Sequence, residues 1–120
     1  MKTLNEELRE TREQLSIAVN DLITWSNTWA EKKPNYKEAE ALATAQASGT
    51  VQEKAAQAVL KTKKEYRAYL KAEAMKDALK IKVESLRAML SAIQTEASTA
   101  RAEMSLTNAP EPKSIHDIYS

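Results

Sequence analysis

The sequence predicts an all-α fold: a helical hairpin or coiled-coil bundle of three helices, with one very long helix at the C-terminal end. Three observations carry this. The 120 residues include one glycine, three prolines and no phenylalanine, and aromatics make up 5%, which leaves little material for turns or strands. Alanine, glutamate, lysine and leucine dominate, and these are strong helix formers. Apolar residues recur in alternating steps of four and three, the rhythm of packed helices.

Three helix starts share one signature. Thr3-x-x-Glu6, Asn35-x-x-Glu38 and Thr50-x-x-Glu53 each resemble a capping box, in which the first side chain accepts from an orphan N–H and the acid reaches back. Pro34 precedes the second and Gly49 the third, and both residue types interrupt helices. The expected helices are therefore 4–32, 36–48 and 51–106. The first carries a seam of Leu4, Leu8, Thr11, Leu15, Ala18, Leu22, Trp25 and Trp29, widened by Val19 and Ile23 as a buried helix requires.

The long helix reads as two seams. One is Ala55, Val59, Thr62, Tyr66, Tyr69 and Ala72; the other is Leu79, Val83, Leu86, Leu90, Ile93, Ala97, Ala100 and Met104. Two consecutive steps of three between Tyr66 and Ala72 predict a stammer, and Lys76 then falls on the seam, where packing should weaken. At 1.5 Å per residue the third helix would span ~84 Å, against ~43 Å and ~20 Å for the others. The shorter two cannot cover it. This predicts a homo-oligomer, with Leu79, Val83, Leu86, Leu90 and Ile93 at the interface between copies.

Residues 1–106 form the expected helical domain. Asn108-Ala109-Pro110-Glu111-Pro112 stops the helix and opens a flexible, Pro-containing tail over 107–120. No cysteine is present, so there is no disulfide framework or thiolate metal site. The N-terminus lacks an apolar signal core, and no stretch approaches the ~20 apolar residues of a membrane span. A cytoplasmic protein without membrane contact is expected.

The usual routes to catalysis each lack a part, so no enzyme is expected. The single histidine, His116, stands beside Asp117 in the tail, short of the three or four ligands a metal site needs. Glu6, Glu10 and Glu13 share a helix face, but no Glu-x-x-His motif accompanies them. Gly49 stands alone, so no glycine-rich loop can cradle phosphate, and no nucleophile motif frames a serine. No cofactor or metal is expected. Trp25 and Trp29, four apart on the seam, read first as core and second as anchors for a partner.

Charge is the most informative feature. The formal net charge is only +1, yet residues 54–82 hold nine basic side chains against three acidic ones, and residues 1–31 three against six. Lys63, Arg67 and Lys71 step by four along one face, with Lys61 and Lys64 beside them. Such a stripe can track a phosphate backbone, driven by counterion release, with Tyr66 and Tyr69 interleaved as in stacking platforms. A solvated helix face is the plainer reading.

The stretches Ala47-Ser48-Gly49-Thr50-Val51-Gln52-Glu53-Lys54 and Ser85-Leu86-Arg87-Ala88-Met89-Leu90-Ser91-Ala92-Ile93-Gln94 resemble small helical proteins of the early, recombination-associated regions of tailed bacteriophages. The order of an N-terminal helix ending in tryptophan, a short helix and a long basic helix is similar to UvsY-type recombination mediators. The resemblance covers residues 20–100. It implies an oligomer that binds single-stranded DNA and helps load a recombinase, in the cytoplasm of the host cell. Two other classes stay open: a phage inhibitor or adaptor that binds a host defence or repair protein, and a structural coiled-coil component.

Overall fold

The structure is a computed structural model that describes residues 1–108. Over those residues it is all-α, with three helices and no strand: α1 (Leu4–Gln46), α2 (Val51–Lys61) and α3 (Lys63–Asn108). The tail from residue 109 on, including His116, lies outside the described residues.

α1 begins as its sequence dictates. The Thr3 hydroxyl accepts from the Glu6 N–H at 3.1 Å, and Glu6 and Glu7 place negative charge in the first turn, where it complements the helix dipole. The helix then runs 43 residues, straight through Pro34. This corrects the expected stop at 32 and the separate helix over 36–48. Proline removes one N–H and crowds the carbonyl four residues back, but the seam outweighs it. The four-three alternation passes from Trp29 to Lys32, Tyr36, Ala39 and Ala43, all buried or half-buried. Tyr36 stacks on Tyr69 with ring centroids 5.6 Å apart, and meets Tyr66 at 5.0 Å. A helix ending at 32 would forfeit those contacts. Asn35 is consequently an interior helical residue and caps nothing.

The turn between α1 and α2 matches its sequence. Gly49 takes φ 109°, and a Cβ there would collide with Glu53 Oε2. Thr50 and Glu53 close a reciprocal capping box, at 3.2 and 3.4 Å. Gln57 accepts from the Ser48 N–H at 3.4 Å and donates to the Ser48 carbonyl at 3.0 Å, tying α2 back onto the turn.

The single helix expected over 51–106 is interrupted at one residue, Thr62 (φ −105°, ψ 13°). Its hydroxyl donates to the Ala58 carbonyl at 2.6 Å, a back-bond of the kind that bends helices. Its N–H bonds to the Ala58 carbonyl, and its own carbonyl accepts from Tyr66, so the path continues after the bend.

Across that bend the buried and half-buried positions Ala58, Thr62, Glu65, Tyr69, Ala72, Lys76, Leu79 and Val83 alternate four and three without fault. The expected stammer is therefore absent. Ala58 and Glu65 occupy the seam in place of Val59 and Tyr66, which are 67% and 43% exposed; Ala55 is exposed too. Apolar size had suggested the neighbouring register. Small side chains let the helices approach, and the larger ones fall outside. Ile23 and Met104, at 54% and 61%, are likewise exposed rather than buried.

Contacts divide the chain into two compact units: residues 1–15 with the chain from Ser85 onward, and residues 16–84. In the first, Leu8, Thr11, Leu86 and Ala97 are buried, and the Thr11 hydroxyl approaches the Met89 sulfur at 4.0 Å. In the second, Ala18, Ala43, Ala58, Ala72, Leu79 and Val83 form the core. There α1 and α3 run antiparallel, since Trp29 meets Lys76 while Tyr36, further along α1, meets Tyr69 and Tyr66.

Leu79, Val83 and Leu86 are only 8%, 3% and 5% exposed within a single chain, and Leu90 and Ile93 are half-buried there. Among the described residues no helix is long and apolar enough to cross a membrane.

Candidate nucleic-acid interface

The seam of α3 fixes where its charges point. With Thr62, Glu65, Tyr69 and Ala72 inward, Lys63 and Arg67 point away from α1, Lys64 and Lys71 lie on the flanks where α3 borders it, and Lys61 precedes them as the last residue of α2. All five are exposed, as charges that would be costly to desolvate should be. From Lys63 to Lys71 α3 rises about 12 Å. Among the described residues none of the five engages in an ion pair; pairs such as Lys2–Glu10 (2.6 Å) and Lys76–Asp77 (3.6 Å) involve other groups. The Lys71 ammonium lies 5.8 Å from the Trp25 ring centroid.

α1 adds residues that the sequence did not place at this site. Lys32 and Asn35 join Lys64, Glu65 and Ala68 around a cleft of about 180 Å³. Lys32 had been read as the end of the first helix and Asn35 as a cap; the continued heptad alternation signals the place of Lys32 beside α3. Glu65 contributes an oxygen that is buried without a hydrogen-bond partner. An acid here opposes an anion in the cleft, so the favourable path for phosphate is the outer stripe.

Trp25 and Trp29 are half-buried seam residues. Trp29 carries two ammonium groups, Lys76 at 4.0 Å and Lys33 at 4.9 Å from its ring centroid. This explains how Lys76 occupies a seam position without opening it: its aliphatic stem packs while its charge rests on the ring. The tyrosines also serve packing. A hydrogen bond to Glu40 pushes the Tyr36 hydroxyl up to about 12, and a hydrogen bond to Glu73 raises that of Tyr69. Tyr66 keeps an exposed edge beside Arg67.

No protein-family model matches the chain, and neither does any curated protein or solved structure.

The other candidate groups stay apart. Glu10 is engaged by Lys2, whose pKa it raises through their hydrogen bond. Among the described residues no three acidic or histidine side chains converge as a metal site.

Proposed function

We propose that the protein is a non-catalytic accessory factor that holds single-stranded nucleic acid along the outer face of α3, acting in phage recombination as a mediator-like module. The observation that carries this reading is the stripe of Lys61, Lys63, Lys64, Arg67 and Lys71, all exposed and none in an ion pair among the described residues. A flexible strand can follow such a stripe on a helix, and Tyr66, 43% exposed, is an aromatic ring beside it that a base can contact. The mediator role is drawn from the resemblance to UvsY-type proteins.

The test is fluorescence anisotropy of a labelled oligonucleotide over a salt series. With up to five phosphates engaged, the log–log slope should reach about −3.5, at about −0.7 per phosphate on a single strand. Replacing Lys63, Lys64, Arg67 and Lys71 with Gln should leave helicity intact and remove most of the affinity and the slope. Equal binding by the folded variant, or no binding by the wild type at low salt, would reject the reading.

A further inference from the structure

α2 buries the wrong side for its composition. Its apolar residues Val51, Ala55 and Val59 lie outward, with the two valines 84% and 67% exposed, while Ala58 is 4% exposed and Lys54 and Gln57 are half-buried. The cause is local. The Thr50–Glu53 capping box and the two hydrogen bonds between Gln57 and Ser48 hold α2 to the turn in a rotation that puts Ala58 inward and leaves the valines exposed. Beside them lies a groove of about 260 Å³, with Val51, Ala55 and Val59 on the α2 wall and Tyr36 and Thr44 on the α1 wall.

We infer that this groove is a self-association surface whose occupant is the same face of a second copy, related by a two-fold axis. Shape and charge both point to a copy of this chain. Val51 and Val59 form the exposed α2 rim of the groove, so a two-fold rotation can set the rims of two copies against each other, as helices pack. The groove also carries one charge of each sign on opposite walls, Glu40 on α1 and Lys54 on α2. Neither Lys54 nor Glu40 forms an ion pair among the described residues. A two-fold axis across the groove sets Glu40 of each chain opposite Lys54 of the other, twice. The buried core supplies the need for such a contact: alanines dominate it, and among the described residues no large side chain is fully buried.

Light scattering of the full chain at about 100 μM, where even micromolar association is visible, tests this. The wild type should show twice the chain mass of 13.4 kDa. Val51→Lys combined with Val59→Lys should halve the mass at unchanged helicity, because both side chains are already exposed. Glu40→Lys and Lys54→Glu should each halve it too, and mixing these two single variants should restore the dimer, since every cross-chain pair then joins opposite charges. A monomeric wild type, a dimeric folded Val51/Val59 variant, or a mixture that stays monomeric would each overturn the inference.

Discussion

Single residues decide which of two overlapping patterns the chain adopts. Tyr66 and Val59 looked inward by size, yet Glu65 and Ala58 hold the seam, and Glu65 does so with one oxygen unpartnered. Size alone was a poor guide because the interior is narrow: Ala72 and Ala18 are 0% and 1% exposed, and side chains this small bring the helices close. Gly49 and Thr50 were fully legible, since a positive φ beside a capping box leaves few alternatives. Tyr36 gives a prediction at this scale. Its folded pKa, about 12, lies above the ordinary 10, so folding favours the neutral hydroxyl, which donates to Glu40. That contribution is present in full below pH 10 and is lost as pH rises through the folded value. The melting temperature should fall between pH 10 and 12, and fall less in Tyr36→Phe, which keeps the ring stack. Equal falls in both proteins would show that the hydroxyl is not the cause.

Whole elements were legible through their periodicity and misjudged through their breakers. The α1 seam from Leu4 to Trp29 is buried or half-buried at every position, and the same alternation, followed four steps further, would have carried the helix past Pro34. A proline counts as a stop only when no seam continues beyond it. The break at Thr62 was not legible, because it depends on a hydroxyl choosing the Ala58 carbonyl at 2.6 Å, a choice open to many threonines that leave their helices unbroken, such as Thr24 and Thr28. Pro34 yields the test. If α1 is continuous, Pro34→Ala restores an N–H and relieves the crowded carbonyl, stabilising the fold by up to about 3 kcal/mol. Chemical denaturation would show a higher midpoint. A lower midpoint would mean that Pro34 sits in a turn and that α1 ends before it.

At the scale of the molecule, the contrast in charge was visible from the sequence, and its consequence depends on the fold. Leu79, Val83 and Leu86, expected between chains, are already buried within a single chain, and α1 absorbs the segment that had been read as a separate helix. The five basic side chains could be listed from the sequence, but their common exposure follows from the seam register, and Lys32 and Asn35 could be placed beside them only once α1 ran through Pro34. The central claim is that single-stranded nucleic acid lies on this outer face of α3. Lysine acetylation read by mass spectrometry, with and without a saturating oligonucleotide, tests it most directly. Lys61, Lys63, Lys64 and Lys71 should be protected by the oligonucleotide and regain reactivity at high salt, while Lys37, exposed on α1, should react equally in both samples. Protection spread evenly over Lys37 and the stripe, or none on the stripe while the oligonucleotide is bound, would contradict the account.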